Sequence, residues 1–137
     1  MKRLLLLAYF SFVLAACGND GPALVATDVV VKPPMPGMAM TSGYLTLQNN
    51  SGDDITIDSV TSPQFGRVEM HESVLEDGVS RMKALPRVVV PAGGTVEFKP
   101  GGKHLMLMRP GEELEAVTLA FHSGDAVLLT VNVSAGE

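Results

Sequence analysis

The sequence predicts an all-β fold, a Greek-key sandwich or barrel, and three observations carry that prediction. Ten segments of strand length follow one another at regular spacing. Turn chemistry separates them: Gly supplies positive φ, and Pro, Asn and Asp favour turn positions. No long stretch has helical periodicity, and short strands with Gly/Pro turns are the pattern of sandwiches and barrels.

The segments run in order. "LVATDVVVK" (24–32) opens the fold and ends in the Pro/Met loop "PPMPGMAM" (33–40). "GYLTLQN" (43–49) runs into the turn "NNSGDD", and "DITIDSVTS" (54–62) follows. "RVEMHES" (67–73) and "VSRMKAL" (79–85) flank "LEDG", a hairpin signal. "RVVVP" (87–91) leads into "PAGG", and "TVEFKP" (95–100) into "KPGG". "HLMLM" (104–108) is closed by "RPGEE". "AVTLAFHS" (116–123) and "AVLLTVNVS" (126–134) flank "HSGD". The expected core includes Leu45, Leu47, Ile55, Ile57, Val88, Val90, Val96, Phe98, Leu119, Phe121, Leu129 and Val131. About 120 residues of this kind bury enough apolar surface to be stable without disulfides.

The first residues have a different character. "MKRLLLLAYFSFVLAAC" carries Lys2 and Arg3, an apolar run from Leu4 to Val13, and then "LAAC". This is a secretory signal, expected over 1–16, and too short for a good membrane span. "LAAC" resembles the bacterial lipobox, which implies cleavage before Cys17 and lipid attachment to its thiol. Residues 17–23 are then the lipidated cysteine and its tether, and 24–137 the folded domain. Gly18 allows outer-membrane sorting in that resemblance. The expected location is extracytoplasmic, in the periplasm, on a bacterial membrane.

Cys17 is the only cysteine of the 137 residues. A disulfide, a Cys-based zinc site, thiol catalysis and a blue-copper centre all need others, so each is excluded from the domain. Without Lys2 and Arg3, eight basic residues face fifteen acidic ones, a formal net of −7. An acidic chain without a basic cluster argues against nucleic acid and against charge-driven binding to anionic lipid. No Ser/His/Asp arrangement or phosphate loop is present, so no enzymatic activity is expected.

Histidine and methionine carry the chemistry. Alternation along "KHLMLM" (103–108) puts Leu105 and Leu107 on one face and His104, Met106 and Met108 on the other. His104 and Met106 are two apart, so both can converge on one atom between them; Met108 continues the face as packing. In "RVEMHES", Met70 faces the core beside Val68, and His71 points outward with Glu69 and Ser73. Met82 shares a small-residue face with Ser80 and Ala84. His122, at a strand end, is expected to be solvated. Two imidazoles and two thioethers, with no carboxylate or thiolate, form a neutral and soft set suited to Cu(I); zinc sites use Cys, His and carboxylate instead.

The order His71, ten residues, Met82, twenty-one residues, His104, one residue, Met106 resembles the H-x10-M-x21-H-x-M pattern of the periplasmic copper chaperone family PCuAC. "MHESVLEDGVSRM", "VPAGGTVEFKPGGKHLMLM" and "SGYLTLQN" are similar to that family as well, and the likeness spans roughly residues 25–134. The resemblance implies a cupredoxin-like barrel that binds copper at His71, Met82, His104 and Met106. It implies transfer of Cu(I) to an acceptor such as the CuA centre of cytochrome c oxidase, on subunit II, or an assembly thiol protein, with the protein a monomer held to the membrane by its lipid. Sequestration of copper without a dedicated acceptor uses the same site, and a non-metal adhesion or structural sandwich is the remaining alternative. Met35, Met38 and Met40 form a possible auxiliary metal site, since three thioethers on one loop can wrap a single ion.

Overall fold

The computed structural model describes residues 21–134; the signal segment and Cys17 lie outside the described residues. Eleven strands follow one another, with no helix among the described residues. They are β1 (Leu24–Val31), β2 (Met40–Asn49), β3 (Ile55–Ile57), β4 (Ser59–Thr61), β5 (Phe65–Glu76), β6 (Val79–Ala84), β7 (Val88–Val90), β8 (Thr95–Phe98), β9 (Lys103–Pro110), β10 (Ala116–Ser123) and β11 (Ala126–Ser134). Among the described residues, no helix is long and apolar enough to cross a membrane.

The main sheet runs β1-β2-β9-β5-β4-β10-β11, with β6 added beside β5 and β8 beside β2. Its pairings are antiparallel, and β11 returns into contact with β1, so the sheet is nearly closed into a barrel. A small sheet of β3 and β7 caps it. The crossings bring distant segments side by side, about sixty residues apart in sequence for β2 and β9 and some thirty for β5 and β9, as Greek-key connections do.

Alternation fills the interior. Leu45, Leu47, Leu105, Leu107, Leu119 and Phe121 are each 0–2% exposed. Burial of such side chains, at about 25 cal/mol per Å² of apolar surface, is the main stabilising contribution. Of the expected core, Ile55, Val96, Leu129 and Val131 pack against it only half-buried, and Leu24, Val31, Val60, Phe65 and Val117 join it.

One segment differs from the sequence reading in the number of strands it forms. Residues 54–62 form two strands rather than one, split at Asp58. The Asp58 N–H donates to the His122 carbonyl at 3.0 Å, and its Oδ2 accepts from the Gly124 N–H at 2.7 Å. This corner hands the chain from the small sheet to the main one, so that Ile57 and Val60, three apart, are both buried.

Candidate metal centre

The centre is built on three neighbouring strands, β6, β5 and β9. In the β5–β9 ladder His71 stands directly opposite His104, Glu69 opposite Met106, and Met70 opposite Leu105. Met70, Leu105 and Leu107 are buried in the core, so alternation sends His71, His104 and Met106 to the other face. In the β5–β6 hairpin Met82 stands opposite Ser73 and Ala84 opposite His71. Met82 is therefore the diagonal neighbour of His71 on the same face, within reach of a long side chain.

The two imidazole centroids are 5.9 Å apart and tilted by 56°. His104 is 6% exposed, although its strand parity points away from the core. The β8–β9 turn explains this. Its Gly102 carbonyl accepts from the Ser73 N–H at 3.0 Å, which ties the turn to β5 at the end where His104 sits. Met106 is half-buried, and Met82 stands at the lip, 60% exposed.

Hydrogen bonds fix the ring nitrogens. His104 Nδ1 lies 3.1 Å from the Gly102 carbonyl oxygen. A carbonyl only accepts, so Nδ1 carries the proton and Nε2 keeps its lone pair in the neutral ring. His71 Nε2 lies 2.8 Å from Glu69 Oε2 and donates to it. In the neutral ring that leaves His71 Nδ1 as an acceptor, and it is buried with no hydrogen-bond partner. A polar atom so placed costs roughly 1–3 kcal/mol. A bound metal ion would satisfy it. Carboxylate-to-imidazole contacts of this kind orient ligating histidines and raise their basicity. Glu69 is itself held by Arg67, and its carboxyl is kept below the usual range, first by the His71 hydrogen bond and with help from the Arg67 guanidinium.

Among the described residues no three His, Cys, Asp or Glu side chains gather into a metal-holding group. Two free imidazole lone pairs and two thioethers on one face fit a soft, singly charged ion.

Sequence reasoning left Glu69 without a role; its position two residues before His71 on the same strand face was the available signal. Its predicted contribution is testable. Glu69→Gln keeps the shape and removes the charge, and should weaken metal binding at His71 by about 10–100-fold. An unchanged affinity in chelator competition would show that Glu69 is only a surface partner of Arg67. His122 stands apart from this face. It lies on β10, between β4 and β11, with Nε2 2.8 Å from the Thr61 hydroxyl.

The family described as "Putative lipoprotein LpqE-like" matches residues 24–133. A relative in Leifsonia xyli subsp. xyli, "Putative lipoprotein Lxx21020", is 32% identical over 103 residues, 71% of this chain and 62% of its own length. The chain spans 54–62% of the length of the curated relatives it matches. Among solved structures, the solution structure of CuI-DR1885 from Deinococcus radiodurans is 26% identical with a TM-score of 0.60, covering 89% of this chain and 82% of that one. The copper-bound PCuAC domain from PmoF2 has a TM-score of 0.61 at 18% identity, covering 82% of this chain and 90% of that one, a likeness of fold. The chain belongs to the LpqE-like family, and its nearly closed barrel is the cupredoxin-like fold of the PCuAC domains.

Proposed function

We propose that the protein is an extracytoplasmic Cu(I) chaperone, binding one ion at His71, Met82, His104 and Met106 and delivering it to a membrane acceptor. The carrying observation is the cross-strand histidine pair, with the buried, unpartnered Nδ1 of His71 and two thioethers on the same face. Likeness to a solved copper(I) protein supports the same reading. Neither sulfur nor neutral imidazole brings charge to the ion, so Cu(I) is held without a change of oxidation state.

Transfer proceeds by ligand exchange. The two histidines sit at the base and Met82 at the exposed lip, so an acceptor's thiolate or imidazole displaces the Met82 sulfur first. Leu75, exposed on the β5–β6 hairpin and on the same face as Met82, gives that acceptor an apolar contact beside the lip. The acceptor we favour is the CuA centre of cytochrome c oxidase, reached from a membrane anchor on Cys17. No covalent chemistry is assigned to the protein.

The test is Cu(I) competition against a chromogenic chelator, comparing the natural protein with Met82→Leu/Met106→Leu. The substitution conserves volume and removes both sulfurs. Tight one-to-one binding should weaken by about 100-fold or more, ~2.7 kcal/mol. Equal binding would mean that these methionines only pack.

A further inference from the structure

We infer that the loop between β1 and β2 is a second Cu(I) station, where Met35, Met38 and Met40 capture the ion and pass it by way of Met106 to the histidine pair. The hand-off rests on the function proposed above; capture by the loop does not.

The loop sequence builds the station locally. Met35-Pro36-Gly37-Met38 is a tight turn, with the Met38 N–H donating to the Met35 carbonyl at 2.9 Å. Gly37 has φ +81°. Pro at the second position and a positive-φ Gly at the third are the requirements of a type II turn, which brings its first and fourth Cα atoms within about 7 Å. Two thioethers thus start side by side. Met40 begins β2, opposite Met108 of β9, and the next same-face pair of that ladder is Ser42 and Met106. Met35, Met38, Met40 and Met106 line one open cleft of about 360 Å³. Met106 therefore stands between the loop and the histidine pair.

The exposure of these side chains has no packing explanation. Met35, Met38 and Met40 are 68, 48 and 44% exposed and lie outside the core. Methionine is ordinarily a flexible filler of apolar gaps. The base of the loop is fixed: the Lys32 N–H donates to the Ser42 carbonyl at 3.0 Å, the Thr41 hydroxyl to the Lys32 carbonyl at 2.7 Å, and the Arg109 N–H to the Ala39 carbonyl at 2.8 Å. The thioethers are thereby held beside β9.

The lining also favours one class of ligand. Beside the thioethers it holds the neutral hydroxyls of Thr41, Ser42 and Tyr44 but no carboxylate and no imidazole, so hard and borderline cations find no anionic or imidazole donor there. Its one charge is Lys32, whose Nζ lies 5.5 Å from the Tyr44 ring centroid. That positive charge opposes any cation, and a doubly charged one twice as strongly. The station is consequently a weak and transient one for Cu(I), which suits capture followed by transfer down an affinity gradient. Copper stays Cu(I) throughout: sulfur–copper bonds form and break, and no electron or proton moves.

The experiment is an anaerobic Cu(I) titration of the purified protein carrying 13C-methyl methionine, read by NMR and paired with stopped-flow loading from a Cu(I)–chelate complex. Two equivalents should bind, the tighter shifting the Met82 and Met106 methyls and the weaker shifting Met35, Met38 and Met40. Met35→Leu/Met38→Leu/Met40→Leu should keep the tight equivalent, lose the weak one and load about tenfold more slowly, because capture raises the local ion concentration. His71→Ala/His104→Ala should lose the tight equivalent and keep the loop shifts. Loop methyls unmoved by excess Cu(I), or a triple variant that loads at the natural rate, would overturn the inference. Loss of the loop site alone leaves the histidine centre standing, and retention of the tight equivalent in the double His variant counts against that centre and not against the loop.

Discussion

His71→Leu/His104→Leu is expected to lose tight Cu(I) binding, by more than about 1,000-fold or ~4 kcal/mol, while the copper-free protein keeps its stability within about 1 kcal/mol. The two halves of this expectation have one cause. His71 Nδ1 is buried without a hydrogen-bond partner, which costs free energy. Leucine removes that polar atom and occupies similar space. The hydrogen bond from His104 to Gly102 is lost too, but the Gly102 carbonyl still accepts from the Ser73 N–H. Glu69 loses His71 and keeps Arg67, at a position with access to water. Chelator competition reads the first half and urea unfolding of the copper-free protein the second. Retained affinity would move the centre away from these histidines. A collapse in stability would make them structural, with their pairing a matter of packing.

This combination of poor local satisfaction and soft donors is what the primary structure shows only in part. Alternation in "KHLMLM" sorts Leu105 and Leu107 from His104 and Met106 correctly, because a strand side chain has only two directions. The same rule places Met70 inward and His71 outward. What alternation cannot supply is which strand lies next door. The direct facing of His71 and His104 depends on the β5–β9 register, a pairing across some thirty residues. The burial of His104 depends on a turn bonded to a different strand. The β2–β9 pairing that sets Met40 opposite Met108 likewise starts β2 three residues before its expected beginning at residue 43. The split at Asp58, by contrast, was written in the sequence. In "DITIDSVTS" the apolar residues Ile57 and Val60 are an odd number apart, so a single half-buried strand must expose one of them. Both are buried, and the change of parity requires the corner.

Asn49→Ala is expected to destabilise the fold by roughly 3–5 kcal/mol, since four hydrogen bonds worth about 1 kcal/mol each are lost. Asn49 is fully buried at the end of β2. Its Nδ2 donates to the Asp53 carbonyl at 2.7 Å and to the Val90 carbonyl at 3.0 Å. Its Oδ1 accepts from the Ser51 N–H at 2.9 Å and the Ser51 hydroxyl at 2.7 Å. Both donors and both lone pairs are used, the full capacity of an amide. One side chain therefore joins β2 of the barrel, the loop after it and β7 of the small sheet. Asn49→Asp should fail almost as badly, since a carboxylate would face two carbonyls that need donors. Asn49 lies at the opposite end of β2 from Met40, so copper affinity of the folded fraction should not change; distant sites contribute independently. A denaturant midpoint that falls in Asn49→Ala with unaltered Cu(I) competition would separate the scaffold from the centre it carries. A midpoint that does not move would mean that water replaces the amide, and that the small sheet is attached without the Asn49 side chain.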